Sequence, residues 1–132
     1  NLQNKVQWLG SQPKEIVIKE LQSSDVFILT SWSEGFPNVL VEAVFAKAIC
    51  IVPNHLSIEK VFNDNQMLFY NKFIQNDLSN TIIDCINFDD IKKQKMVKSA
   101  YDTANFIFDY KKHALEFCSF FEKALNFKIS QS

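Results

Sequence analysis

Ser24-Asp25-Val26-Phe27-Ile28-Leu29-Thr30, then Ser31-Trp32-Ser33-Glu34-Gly35-Phe36-Pro37, then Asn38-Val39-Leu40-Val41-Glu42-Ala43-Val44-Phe45-Ala46, is the stretch that decides the reading. Residues 26–30 form a continuous apolar run between polar clusters, which predicts a strand buried on both faces, as in a parallel sheet. The polar loop 31–37 breaks it. Residues 38–46 are apolar on every side of a helical wheel, the pattern of a buried helix. Glu42 is the one ionisable group there before Lys47. An isolated buried carboxylate costs several kcal/mol unless it is paired or hydrogen-bonded, so Glu42 points to a cleft. The plain alternative is a partly exposed acid on the solvent edge of the helix.

The loop carries a second acid, Glu34, eight residues before Glu42. In open α/β sheets ligands bind outside the carboxyl ends of the strands, and this loop sits there. Pro37 suits the first helical position, and Gly35 allows a positive φ or close backbone approach. The amides of Phe36, Asn38 and Val39 would then point out of the helix start, where the helix dipole favours an anion such as phosphate.

Outward from this segment the elements alternate. Residues 5–9 alternate polar and apolar and read as a short strand closed at Gly10. Residues 14–23 have helical spacing through Ile16, Val17 and Leu21. Residues 49–52 form another buried strand ended by Pro53, a short helix follows near 57–62, and a strand covers 67–70. Such alternation predicts an α/β domain with right-handed crossovers. Residues 73–87 read as helical. Two further apolar stripes run from Ile91 through Met96, Val97, Ala100, Ala104 and Ile107 to Phe108, and from Tyr110 through Phe117 and Phe121 to Leu125. The C-terminal third is thus a set of amphipathic helices packed on the α/β part.

Composition sets bounds. The 132 residues fit one domain. Fourteen basic residues against fifteen acidic give a net charge of −1, which argues against a nucleic-acid partner. No apolar run approaches the roughly 18 residues of a membrane span. Cys50, Cys85 and Cys118 lie far apart without metal-ligand spacing and read as reduced core residues, so a cytoplasmic location is expected. With only Gly10 and Gly35 present, neither a dinucleotide-binding glycine fingerprint nor a P-loop can be written.

Glu34-(seven residues)-Glu42, embedded in SerTrpSerGluGlyPheProAsnValLeuValGluAla, resembles the donor-site motif of the family-4 (group 1) glycosyltransferases. ValGlnTrpLeuGly at 6–10 and SerAspValPheIleLeuThrSer at 24–31 resemble two strands of that family, in order and spacing. The resemblance is close over residues 6–52 and weakens afterwards. It implies a GT-B fold, in which two Rossmann-like domains face a cleft and the C-terminal one binds a nucleotide-sugar. On that resemblance the chain is one partial domain. Residues 1–72 are its Rossmann-like nucleotide-sugar-binding part and 73–132 its C-terminal helical part. Glu34 would be the catalytic residue, hydrogen-bonding donor sugar hydroxyls. Gly35, Phe36, Pro37, Asn38 and Val39 would meet the sugar and diphosphate. Glu42 would accept from the ribose hydroxyls. The implied activity is retaining transfer of a hexose to a glycan or lipid-linked acceptor, with no cofactor and no metal, so that amides and basic side chains stabilise the leaving diphosphate.

The sequence also departs from the family pattern. The usual Gly-x-Pro turn is replaced by Ala46-Lys47-Ala48-Ile49, and glycines expected after the next strand by Pro53-Asn54-His55-Leu56-Ser57. His55 reads as a loop histidine, and Glu59 is a weak match to a family acid. In the strand order 3-2-1-4-5-6, residues 6–9 and 26–30 would be strands three and four, with one and two supplied from elsewhere. The family's phosphate-binding Arg and Lys and its acceptor domain would lie upstream, so a missing N-terminal domain or partner chain is expected and the isolated chain should not turn over. Lys92, Lys93, Lys95 and Lys98 read first as a solvated face, with peripheral membrane contact as the sharper alternative. Two other functional readings stay open: a nucleotide-sugar-binding remnant without chemistry, and an unrelated small α/β regulatory domain.

Overall fold

A computed structural model describes residues 4–31 and 35–109, together with 111, 112, 115 and 119. Its elements run α1 (Lys14–Gln22), β1 (Val26–Ile28), α2 (Asn38–Phe45), β2 (Ile49–Pro53), α3 (Leu56–Glu59), β3 (Leu68–Tyr70), α4 (Asp77–Asn87) and α5 (Asp90–Ile107). The three strands are parallel in the order β1-β2-β3, with Val26 opposite Ile49 and Ile51 opposite Leu68. This is the order expected for strands four, five and six of a doubly wound sheet.

β2 is the centre. All five of its residues are buried, because a parallel strand with helices on both faces has no solvated side. Its side chains divide by alternation. Cys50 and Val52 join the cluster of Leu40, Ala43, Val44, Ile58 and Phe62. Ile49 and Ile51 join Tyr70, Cys85 and Met96 on the other face. Each such aliphatic side chain, once fully buried, contributes about 1.5–3 kcal/mol. α2 packs on β2, α1 and α5, and α4 packs on β3. α5 serves both faces, giving Met96 to one cluster and Ala100 and Ala104 to the other. Its start is fixed by Asp89, whose carboxylate accepts from the Lys92 amide at 2.6 Å.

The structure corrects several expectations. Residues 5–9 are not a strand; Val6 and Trp8 are 71% and 92% exposed. An alternating pattern makes a strand only where a neighbouring strand takes up its hydrogen bonds, and none of the described strands lies beside this segment. β1 is half-buried, not buried on both faces, and Ile28 is exposed, because β1 is an edge of the described sheet. α4 begins at Asp77, not near Phe73. Asn76 adopts a left-handed conformation (φ 65°), and the Asp77 carboxylate accepts from the Asn71 amide at 2.6 Å, so the chain turns before it coils. Ile91 stands exposed outside the α5 core stripe. Cys50 and Cys85 are free and buried, as expected. Cys118, and the stripe residues Tyr110, Phe117, Phe121 and Leu125, lie outside the described residues.

Candidate functional site

The carboxyl end of the sheet is where the elements converge. The chain leaves β1 at Leu29 to Ser31 and enters α2 at Asn38. It leaves β2 into the loop of Asn54 and His55. α1 runs back along the sheet to deliver β1, so its own N-terminus also lies on the carboxyl side. Neither α1 nor α2 has a side-chain cap. In α1 the Pro13 carbonyl takes the amides of Ile16 and Val17 at 3.0 and 3.2 Å. In α2 the Pro37 carbonyl takes that of Leu40 at 3.1 Å. The first two amides of each helix, those of Lys14 and Glu15 and of Asn38 and Val39, have no intrahelical acceptor by the geometry of a helix start. Two dipole ends thus present positive partial charge on one side of the sheet.

Glu42 sits one turn into α2, on the same face as the exposed Asn38. Its side chain is 26% exposed and its Oε1 lies 3.1 Å from the Lys14 Nζ. The expected fully buried carboxylate is therefore corrected to a half-buried, ion-paired one. α2 is not apolar all round in its setting: Leu40, Ala43 and Val44 are buried, while Asn38 and Phe45 are exposed. Lys14 was not singled out from the sequence. The signal available was a lysine in the first turn of a helix, where the dipole disfavours a cation.

The loop residues divide. Phe36 is half-buried, its ring 5.6 Å from that of Phe108, which holds the loop against the end of α5. Pro37 is buried and Val39 half-buried against the core. Pro37 is the residue before the helix (φ −76°, ψ 118°) and not its first residue, so the expected position moves by one. Gly35 is exposed, is not at positive φ, and has open space where a Cβ would stand. The expected positive φ belongs to Gly10 instead. Glu34, with Trp32 and Ser33, lies outside the described residues. The structure thus brings Gly35, Phe36, Pro37, Asn38, Val39 and Glu42 to one helix start.

His55 faces its own loop: its Nδ1 is 2.8 Å from the Ser57 hydroxyl. Lys47 takes the left-handed conformation (φ 65°) at the turn into β2, within the stretch that stands in place of the Gly-x-Pro turn. Among the described residues no group of three or more His, Cys, Asp or Glu side chains could hold a metal ion. A cavity of about 1010 Å³ lies at the opposite, amino end of the strands, lined by Asp25, Lys47, Ile49, Lys93 and Tyr101 among others. Its lysines are matched by Asp25, Asp90 and Asp102, and it has no buried polar group aimed into it. The lysines of α5 are likewise offset locally by Asp84, Asp89, Asp90 and Asp102. No helix of the described residues is long and apolar enough to cross a membrane.

Comparison with known proteins agrees with this architecture. The fold is similar to that of a sucrose-phosphate synthase from Thermosynechococcus elongatus (TM-score 0.78, 18% identity), over 95% of this chain and 31% of that one. The likeness is one of fold: a Rossmann-like parallel sheet of the GT-B type. The chain spans about a third of that protein's length. No curated protein matches the chain significantly. The sequence profile of the family "Glycosyl transferases group 1" matches residues 1–103, which covers the sheet, both helix starts and most of α5, and removes the reading as an unrelated regulatory domain. The chain belongs to the group 1 glycosyltransferases.

Proposed function

We propose that the chain is the donor-binding part of a retaining glycosyltransferase that passes a hexose from a nucleotide-sugar to a glycan or lipid-linked acceptor. The acceptor domain comes from elsewhere in the same protein or from a partner chain. The observation that carries the reading is Glu42: a half-buried carboxylate beside the uncapped start of α2, at the carboxyl end of a parallel sheet. A ribose diol donating to that carboxylate makes charge-assisted hydrogen bonds. The amides of Asn38 and Val39 then face the diphosphate, with the α2 dipole behind them. Glu34 in the preceding loop takes the sugar hydroxyls.

In the transfer the bond from the anomeric carbon to the diphosphate oxygen breaks and a bond to the acceptor oxygen forms. The acceptor loses its proton and the nucleoside diphosphate leaves with the added charge. Helix-start amides and basic side chains stabilise that charge, and the reading takes no metal cofactor.

Titration with UDP, GDP and their sugars tests the proposal. Binding that falls at least tenfold on Glu42→Ala, as expected for loss of hydrogen bonds to a charged group, supports it. Equal binding by both proteins, or none by either, contradicts it. Sugar transfer that appears only when the acceptor domain is added distinguishes an enzyme part from a binding remnant.

A further inference from the structure

Glu42 has a fixed neighbour, and the neighbour is out of place by every local rule. Lys14 stands in the first turn of α1, where the helix dipole repels a cation. Basic side chains gain from the dipole at the other end of a helix, where α1 carries Lys19. Its own-helix neighbours three and four residues on are Val17 and Ile18, so no acid on α1 offsets it at that spacing. It reaches across to α2 instead, 3.1 Å from Oε1 of Glu42. Lys14 is 70% exposed, and an ion pair with one partner so exposed contributes little to stability. The pair biases the direction of a carboxylate: Oε1 faces the ammonium, and Oε2 has no described partner.

Resting on the donor-binding reading above, we propose that Lys14 is a positioning residue. It clamps Glu42 through Oε1 so that Oε2 is presented, already oriented, to the vicinal hydroxyls of a ribonucleotide. Orienting a long side chain before the ligand arrives removes its ordering cost from binding. Lys14 thereby sharpens the site's preference for ribose over deoxyribose, without touching the ligand.

The test is titration of the full chain with UDP, GDP and ADP and with their 2′-deoxy counterparts, in wild type, Lys14→Met and Lys14→Arg. Wild type is expected to prefer the ribonucleotide by about tenfold or more, as for a hydrogen bond to a charged group. In Lys14→Met that preference falls about twofold to fivefold, the scale of an exposed ion pair, while affinity for the deoxynucleotide is unchanged, and Lys14→Arg restores it. A purely structural lysine would move both affinities together or neither. If Lys14→Met keeps the wild-type preference, or weakens both nucleotides equally, the role of Lys14 is overturned and the donor-site reading stands. If wild type binds no nucleotide, or shows no ribose preference, the reading of Glu42 fails and the clamp fails with it.

Discussion

The Tyr70 hydroxyl donates a 3.0 Å hydrogen bond to the Leu29 carbonyl, although β2 lies between their strands. Both residues are buried. Leu29 also gives its amide to the Ile51 carbonyl at 2.9 Å, so the residue that follows β1 and leads into the site loop is held on both its backbone groups. The loop towards Glu34 and the start of α2 therefore leaves from a fixed point. Burial raises the Tyr70 phenol above its ordinary pKa, which keeps the hydroxyl a donor across the physiological range.

Tyr70→Phe removes that donor and leaves a buried carbonyl unsatisfied. Its cost is set by the orphaned acceptor, about 1–2 kcal/mol. Chemical denaturation should show a lower midpoint with an unchanged slope, since the surface exposed on unfolding is the same. A midpoint equal to wild type would mean that the bond does not tether the loop.

Lys47 adopts a backbone conformation that suits glycine. A side chain at φ 65° costs roughly 1–2 kcal/mol, partly offset here by the Lys47 ammonium 5.7 Å from the Tyr101 ring centroid. Glycine relieves the strain but loosens the unfolded chain, so Lys47→Gly should stabilise by about 0.5–1 kcal/mol. A β-branched residue is worse than lysine in this region, so Lys47→Val should destabilise by about 1 kcal/mol or more. Thermal denaturation of the pair measures both, and the opposite ranking would contradict the turn geometry.

Burial pushes the Cys50 thiol up to about 12 from its ordinary 9.0. The folded state thus holds a proton that the unfolded state releases first. The stability from this group is fully present below pH 9 and is lost as pH rises from 9 towards 12. The slope for one proton is about 1.4 kcal/mol per pH unit. Cys50→Ala, which cannot titrate, should therefore lose stability more slowly than wild type over that window, whatever its stability at pH 7. Parallel curves for the two proteins would show that the thiol ionises as easily folded as unfolded.

The parts of the fold visible in the sequence were those whose signal is local and strong. Ile49-Cys50-Ile51-Val52 is apolar throughout because β2 is covered on both faces, and residues 38–45 coil where their pattern says. Residues 5–9 misled because alternation describes a strand only in company. Phe73 and Ile74 misled because their apolar side chains sit in a turn and are exposed, which no periodicity reveals. At the site, the loop-to-helix position of Phe36, Pro37, Asn38 and Val39 was legible from the glycine and proline punctuation. The setting of Glu42 was not, since its partner lies 28 positions earlier (42 − 14) on another helix. Ala46-Lys47-Ala48-Ile49 departs visibly from a Gly-x-Pro turn, but the left-handed backbone of Lys47 belongs to tertiary constraint at the turn into β2.

The central claim is that a nucleoside diphosphate binds at the start of α2 and not in the large cavity at the other end of the sheet. Backbone amide chemical shifts of the labelled full chain, followed during titration with UDP, GDP and their sugars, test this directly. The account predicts the largest shifts at Asn38 and Val39, with Lys14 and Glu42 close behind and all of them reduced in Glu42→Ala. Shifts confined to Lys47, Lys93 and Tyr101 would put the ligand in the opposite cavity and contradict the account.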